Sequence, residues 1–383
     1  MGKRPLFNAA LLLLVAAGPV LSAEETVARS STGPDLNNQA VAAAQAGDFE
    51  QAARLLRQAT ALSPEDAQIR QNRAAILADW GQRLLEQEGR PDRAREALRE
   101  SLEVDSEQRK ALFLLADLEY NSGGELSRPL AMWKKAYAQG SAVERTVLQQ
   151  RIEQAERDLR IERGFSAART AHFQVHYELE AHEEAARQVG ELLEKHYALL
   201  SGVLGSSPQQ LTAILYSERD FRRVAGKDWV LGLYDGRIRL RVEDVEAGRA
   251  EPLLAHELAH AFLMHAYGPL LPVWIHEGFA QAMEPERSLS EEEGRMERQI
   301  EARSAWVPLR WLDRRFQQPS NNEDVGKAYL QARFTVRKLL RLAGPEKFRD
   351  FLRQIGSGVS VDRAYNQSFS PSVWVRADQG NFD

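Results

Sequence analysis

Apolar side chains recur every three or four positions through the first part of the chain, from Leu36 to about Gly140. The residues between them are mainly Ala, Glu, Gln and Arg, which form helices readily. This spacing is typical of amphipathic helices that bury one face and expose the other. A long polar helix over about 142–163 follows, so the sequence predicts an N-terminal part that is entirely helical.

The pattern changes beyond this polar helix. AHFQVHYEL (171–179) alternates apolar and polar residues like a half-buried strand, and a helical pattern then runs to about Leu200. LTAILY (211–216) is a second apolar strand, and GLYDGRIRLRV (232–242) predicts a β-hairpin that turns at its Asp-Gly pair. From Glu251 the pattern is helical almost to the end. Strands followed by helices indicate a mixed α+β domain.

The helical part also repeats its own sequence. GDFEQAARLLRQATALSPEDA (47–67) is echoed by GRPDRAREALRESLEVDSEQRKAL (89–112) and more weakly by GELSRPLAMWKKAYAQG (124–140). The turn glycines Gly89 and Gly123 lie 34 positions apart, which is the period of the tetratricopeptide repeat that this part resembles. Its alanines allow paired helices to approach closely, and its leucines fill the grooves between pairs. A generic helical bundle is the alternative.

Length and composition are those of an ordinary protein with two domains: the 383 residues are 43% hydrophobic and 27% charged. The net charge is −5 and no basic stripe is present, so we expect no nucleic-acid partner.

Lys3 and Arg4 precede an apolar run over 6–20, and small residues end at Ala23, which is typical of a cleaved signal peptide over 1–23. An uncleaved anchor is the alternative, although a single span needs about 20 apolar residues. Without cysteine the exported chain has no disulfide, and we expect a bacterial periplasm and no transmembrane segment after cleavage.

The helix PLLAHELAHAFLMHAYGP (252–269) carries the clearest chemical motif. His256 and His260 are four residues apart and so lie on one face, where two imidazoles can share a Zn²⁺ ion. Glu257 lies about 100° round the helix from His256, beside the metal, where it can take a proton from a water on the ion. His265 lies on the opposite side of the helix, so we interpret it as a packing or surface histidine.

A third ligand is predicted in PVWIHEGFAQAME (272–284). Glu277 follows His260 by seventeen residues, which lets the chain fold back and present a carboxylate to the same metal. A carboxylate in so apolar a helix needs a partner, and the metal would supply it. Gly278 is small, which helps helices to pack closely around an ion. His276 is a neighbour of a ligand but need not face the metal, so we leave it out of the ligand set.

HELAH followed by WIHEGFA resembles the gluzincin metallopeptidases, the clan that contains thermolysin and the zinc aminopeptidases. The likeness is strongest to peptidase-MA-like domains, which often occur as extracytoplasmic proteins with helical repeats, and it covers about 170–369. It implies a thermolysin-like fold with His256, His260 and Glu277 as zinc ligands and Glu257 as general base. The interval between the second histidine and the third ligand is a little shorter than in the best-known members. The motif with which the aminopeptidases of this clan bind a free amino terminus is not visible in the sequence, so the resemblance does not imply exopeptidase activity.

The resemblance extends less specifically to GKAYLQARFTVRKLLRLAGPEKF (326–348). Tyr329 stands where such domains often place a tyrosine, and its hydroxyl would donate to the oxyanion while Arg333 steadies a substrate carbonyl. The alternative is that Tyr329 packs against the core with its hydroxyl at the edge. By analogy with the clan, the hairpin at 232–242 supplies an edge strand that runs along the cleft and pairs with an extended peptide.

The predicted function is an exported zinc-dependent peptidase, endopeptidase or exopeptidase, whose repeats recruit a peptide or protein substrate or a protein partner. Two alternatives stay open, a non-catalytic interaction scaffold of the cell envelope with a peptidase-like domain, and a zinc-binding chaperone. The change of pattern after Gly140 also predicts that a fragment from about Ala142 would bind zinc by itself. The predicted segments are a signal peptide (1–23), tetratricopeptide-like repeats (36–140), a connecting helix (141–169), a gluzincin-like peptidase domain (170–369) and a C-terminal tail (370–383).

Overall fold

The structure is a computed structural model that is mostly helical and contains one small mixed sheet. The predicted signal peptide and C-terminal tail lie outside the residues that it describes, and so do the turn glycines Gly89 and Gly123. At the coarse level the predicted fold class is present, because a helical array precedes a part that mixes helices and strands. The described residues are 31–86, 88, 90–122, 124–208, 210–225, 232–286, 289–302, 304–317 and 322–369.

Helices of the N-terminal half pack in consecutive pairs, α1 with α2, α3 with α4 and α5 with α6, and α7 packs on α6. Small residues stand at the contacts, as the sequence predicts: Ala52 and Ala94 are completely buried, and Leu56 and Leu98 fill the space between pairs. Helix α3 has 20 residues where α1 has 13. The bounds are α1 (Gly33–Gln45), α2 (Phe49–Leu62), α3 (Ala67–Glu86), α4 (Pro91–Val104), α5 (Arg109–Asn121), α6 (Ser127–Gln139) and α7 (Ala142–Ile161).

A five-stranded sheet follows, in the order β1-β2-β3-β5-β4. The three central strands are parallel, whereas β1 and β4 pair antiparallel with their neighbours and form the two edges. The predicted strands and hairpin are confirmed. The sequence pattern does not show β1, because three of its four residues are exposed and it has no alternating apolar face. The bounds are β1 (Ser166–Arg169), β2 (Phe173–Tyr177), β3 (Leu211–Tyr216), β4 (Gly232–Tyr234) and β5 (Ile238–Arg241).

The two faces of the sheet pack against different helices. Val175, Leu215 and Leu240 point into the main core, where α8 and α11 cover them. Ile214 and Tyr216 alternate with these residues and therefore point the other way, into a smaller cluster that includes Ile161 of α7. The central strands thus lie between the core of the C-terminal half and the connecting helix.

Helices complete the C-terminal half. Helix α15 changes direction at Gly344, whose φ of 77° precedes Pro345, so the Gly-Pro pair joins two helical segments. Among the described residues, no helix combines the length and the apolar character needed to cross a lipid bilayer. The bounds are α8 (Glu183–Leu204), α9 (Glu218–Ala225), α10 (Val242–Glu246), α11 (Ala250–Tyr267), α12 (Val273–Met283), α13 (Glu291–Glu301), α14 (Leu309–Gln317), α15 (Asn322–Gly356) and α16 (Val361–Ser368).

Candidate metal centre

Helix α11 presents both histidines of the HELAH motif to one cleft. Its apolar residues, among them Leu254, Leu258 and Phe262, are completely buried in the main core and fix the helix axis. His256 and His260 lie one turn apart, and their ring centroids are 4.8 Å from each other. The helix ends at Gly268, whose φ of 68° is a conformation that glycine adopts readily.

Helix α12 folds back and places Glu277 against both imidazoles, as the sequence predicts. One carboxylate oxygen lies 3.6 Å from His256 Nε2, and the other lies 3.9 Å from His260 Nε2. One ligand atom from each of the three residues lies within 4.8 Å of the others. The helix is held in place by Trp274, whose side chain is 1% exposed and whose backbone N–H donates to Asp313 of α14 over 3.0 Å.

Glycine at position 278 allows α12 to pack directly on α15. A methyl group at Gly278 would lie 2.5 Å from the carbonyl oxygen of Ala332, well inside contact distance. The glycine therefore permits close helix packing beside the ligand, but its partner is α15 and not the histidine-bearing α11 that the sequence interpretation implied. Because Glu277 is the preceding residue, the spacing of α12 and α15 sets the depth of its carboxylate in the cleft.

Glu284 is a second carboxylate of the centre, and the sequence pattern does not indicate its role. It lies just past the end of α12, and its Oε1 is 2.8 Å from His256 Nδ1. With Nδ1 engaged by Glu284, the Nε2 atom of His256 is left to face Glu277. A carboxylate that orients a histidine in this way is the usual outer partner of a metal-bound imidazole.

The charges of the cleft place one proton on one of the two histidines. Burial disfavours a charged imidazole, but the adjacent carboxylates of Glu277 and Glu284 outweigh it and raise the pKa of His256 to about 10. Burial and the neighbouring His256 lower the pKa of His260 to about 3. Although burial opposes it, the adjacent imidazole of His256 keeps the pKa of Glu277 below its ordinary value. A cation in the cleft would take the place of the proton on His256.

Glu257 lies beside the three predicted ligands and is only 9% exposed. It is enclosed by strand β4, where a methyl group at Gly232 would lie 3.0 Å from its Oε1 atom. The backbone N–H of Tyr234 lies near the same carboxylate and partly offsets the rise in its pKa. Burial, with the nearby charge of Glu277, raises the pKa of Glu257 to about 7. A carboxyl group with such a pKa can accept and return a proton near neutral pH.

Tyr329 of α15 reaches the same cleft. Burial, together with the nearby charges of Glu277 and Glu257, raises its pKa to about 12. Its ring packs edge-on against Phe316 of α14, with centroids 5.0 Å apart. Of the two residues predicted on this helix, Tyr329 thus lies at the centre, and Arg333 is buried one turn further on, with 7% of its surface exposed.

The other two histidines of this region do not join the group of possible ligands. The ring of His276 lies 5.8 Å from that of His260, and the three-residue group does not include it. His265 is partly buried on the opposite side of α11, where the charge of Asp92 in the helical array acts on it. Both positions agree with the sequence interpretation.

Two imidazole nitrogens and a carboxylate oxygen are the donor set that zinc accepts in catalytic sites. Zinc bonds of about 2.1 Å in tetrahedral geometry place neighbouring donors about 3.4 Å apart. One oxygen of Glu277 lies 3.6 Å from His256 Nε2 and the other lies 3.9 Å from His260 Nε2, and one ligand atom from each of the three residues lies within 4.8 Å of the others. The three residues are therefore close enough to share a metal ion such as zinc.

Comparisons of the chain with protein-family models, with curated proteins and with solved structures find no match. The function is therefore inferred from the chemistry of the centre itself.

Proposed function

We propose that the protein is a zinc-dependent peptidase of the gluzincin type. The observation that carries this proposal is the convergence of His256, His260 and Glu277 on one point, with Glu257 buried beside them. A structural zinc site usually takes four protein ligands, whereas three ligands with an adjacent carboxylate are typical of hydrolytic sites. Zn²⁺ in this position would supply the Lewis acidity that activates water and polarises a carbonyl.

The residues of the chain divide the remaining work. Glu257 takes a proton from the attacking water and passes it to the amine of the leaving peptide, so that one group serves both transfers. Glu284 holds the ring of His256 in its ligating orientation, because it accepts the hydrogen bond from Nδ1. Tyr329, whose hydroxyl lies beside Glu277, is the donor that we assign to the oxyanion of the tetrahedral intermediate.

The surrounding architecture supports this assignment. Strand β4 lies at the edge of the sheet and borders Glu257, so an extended peptide could add to the free side of the strand next to the reacting bond. We further propose that the paired helices of the N-terminal half are tetratricopeptide-like repeats that recruit the substrate or a protein partner. With the signal-like N-terminal sequence, these features suit an exported enzyme, and we propose the bacterial periplasm as its compartment.

The test replaces the general base. In Glu257→Gln the amide cannot take up the proton, so we expect cleavage of fluorescein-labelled unfolded casein to fall by at least about 100-fold. Zinc content, measured by elemental analysis, stays at one ion per chain because Glu257 is outside the group of three ligands. Glu246→Gln is the matched control. This exposed glutamate at the end of α10 has no part in the metal centre, so the variant should keep full activity.

The same variant distinguishes the enzyme from an interaction scaffold. If Glu257→Gln restores every defect of a deletion strain as well as the wild-type protein does, hydrolysis is not the function. The peptidase proposal then fails, and a zinc-binding scaffold with a peptidase-like domain takes its place.

A further inference from the structure

Two arginines of strand β5 and its turn are buried on the side of the hairpin away from the metal centre. Ile238 and Leu240 point into the main core. Arg239 lies between them and points the other way, as the pleat of a strand requires. Arg237 and Arg239 are only 1% and 0% exposed. A guanidinium group removed from water to this degree needs several acceptors.

The acceptors of Arg239 come from the connecting helix and from the helical array. Its Nη2 atom donates to Asp158 of α7 over 2.7 Å and to the hydroxyl of Tyr120 in α5 over 2.8 Å. The Tyr120 hydroxyl in turn donates to the same carboxylate over 2.5 Å. Arg237 forms a second pair, with Glu162 immediately after α7, at 2.7 Å. Residues about 80 and 120 positions apart in sequence therefore meet in one buried network.

The turn of the hairpin is fixed by the same neighbours. Asp235 accepts from Arg239 Nε over 3.0 Å and also pairs with the amide of Gln154 in α7. Gly236, whose φ is 103°, packs so closely on Asn121 at the end of α5 that a side chain would overlap it. Helix α5 of the array and helix α7 thus hold the hairpin at its tip and along one face.

The opposite face of the same hairpin forms a wall of the candidate centre. Gly232 and Tyr234 of β4 pair with Leu240 and Ile238, and so they face α11, where they border the carboxylate of Glu257. Strand β4 has three residues and a single neighbouring strand. So short an edge strand has few bonds of its own, and its position depends on what anchors the hairpin.

We infer that Arg239 and Asp158 are positioning residues of the metal centre, through which the helical array holds strand β4 against Glu257. This inference rests on the proposed peptidase function. The array is then part of the wall behind the general base, in addition to any role in recruitment. Neither residue touches the ligands or the substrate, so both act on the reaction only through β4.

The test uses the full chain and removes a hydrogen bond that the helical array contributes to the buried network. Tyr120→Phe removes one hydroxyl that bonds both Asp158 and Arg239, and it keeps the ring that packs on Trp133. Tyr197→Phe is the matched control, because it also removes a buried tyrosine hydroxyl, one that donates to the carbonyl of Pro208 away from the hairpin. Asp158→Asn is a stronger second variant. Amide hydrogen exchange over 232–241, zinc content, and kcat and KM on unfolded casein are measured for each.

We expect the hairpin amides of Tyr120→Phe to exchange at least about tenfold faster than in the control, as the loss of a charge-linked buried hydrogen bond implies. Zinc content stays unchanged, while kcat falls roughly tenfold and KM changes less, because Glu257 is displaced and the ligands are not. Asp158→Asn shows the same pattern with larger changes. If the Tyr120 hydroxyl had only a structural role, both tyrosine variants would lose stability and their kcat values would be equal.

Three results separate the possibilities. Hairpin exchange in Tyr120→Phe equal to that of Tyr197→Phe overturns the inference, and so does a loosened hairpin with unchanged kcat. If the wild-type protein cleaves nothing, the peptidase proposal fails by itself. The exchange of the Tyr234 amide then decides the inference, because faster exchange supports a wall held by the array and unchanged exchange overturns it.

Discussion

A carboxylate on the outer side of His256 determines which ring nitrogen faces the other ligands. Glu284 engages Nδ1 at 2.8 Å, and this leaves Nε2 directed at Glu277. Such outer partners fix the orientation of the ring and increase its basicity as a ligand. Glu284 is therefore as much a part of the centre as the three predicted ligands.

Removing this partner should weaken metal binding without abolishing it. In Glu284→Gln the neutral amide accepts a weaker hydrogen bond, so we expect the affinity for zinc to fall about 10- to 100-fold. Competition with a chromophoric chelator measures the change. Glu286→Gln, an exposed neighbour two residues on, is the control and should bind zinc like the wild type. A Glu284→Gln protein with unaltered affinity would show that the carboxylate does not support the ligand.

At this scale, periodicity explains what the sequence could predict. Two histidines four residues apart must share a face of any helix, so His256 and His260 follow from local geometry. Glu277 follows from the need of a carboxylate in an apolar helix for a partner. Glu284 lies beyond the last turn of α12, where no helical period applies. Its contact with His256 depends on how the chain leaves the helix, which spacing does not reveal.

The packing of α12 on α15 links two elements of the centre, one carrying Glu277 and the other Tyr329. Gly278 and Ala332 stand at their closest approach, where a side chain on the glycine has no space. The gap between these helices therefore fixes the distance between ligand and tyrosine.

Filling this contact should disturb the metal centre as well as the core. The methyl group of Gly278→Ala would meet the Ala332 carbonyl at 2.5 Å, so α12 has to move. We expect a loss of about 1–3 kcal/mol in the free energy of unfolding, together with weaker zinc binding. Urea unfolding of the zinc-free protein and chelator competition measure the two effects.

Gly326→Ala is the matched control on α15 itself, because a methyl group there meets nothing within 4 Å. Alanine forms helix better than glycine, so this variant should be more stable by about 0.5–1 kcal/mol. Equal effects from the two substitutions would mean that helix propensity, and not the contact with Ala332, governs position 278.

The elements that could be predicted are those whose own residues decide their burial. LTAILY becomes β3 over the whole predicted span, 211–216, because both of its faces are covered. The sequence predicts that the connecting segment forms a helix, but it does not reveal that part of this helix is buried. Asp158 and Glu162 look like solvated charges in the sequence, and only Arg237 and Arg239, which come much later in the chain, give them partners.

At the scale of the whole molecule, the sequence pattern changes after Gly140, but side-chain contacts join the two sides of this boundary. Tyr120 and Asn121 lie before the boundary and contact the hairpin of the C-terminal half. A fragment that begins at Ala142 would therefore leave the buried Arg239 without one of its acceptors and expose the tip of the hairpin. That such a fragment binds zinc by itself stays a prediction.

The junction between the halves also contains a titratable group, His265. Burial lowers its pKa below the ordinary value of 6.5, and Asp92 at the start of α4 offsets part of this effect. The folded protein therefore binds fewer protons than the unfolded chain once the pH falls to about 6.5. Its contribution to stability is complete above this pH and is lost as the solution becomes more acidic.

Replacing His265 by glutamine removes the difference in proton binding that this group causes between the folded and unfolded states. Between pH 6.5 and the lower pKa of the folded state, we expect the free energy of unfolding of His265→Gln to depend less steeply on pH than that of the wild type. The difference is at most about 1.4 kcal/mol per pH unit, the value for one proton. Asp92→Asn should act in the opposite direction, because it removes the charge that raises the pKa of His265. Urea unfolding at half-unit steps of pH measures both slopes, and parallel curves for the three proteins would show that folding does not shift the pKa of His265.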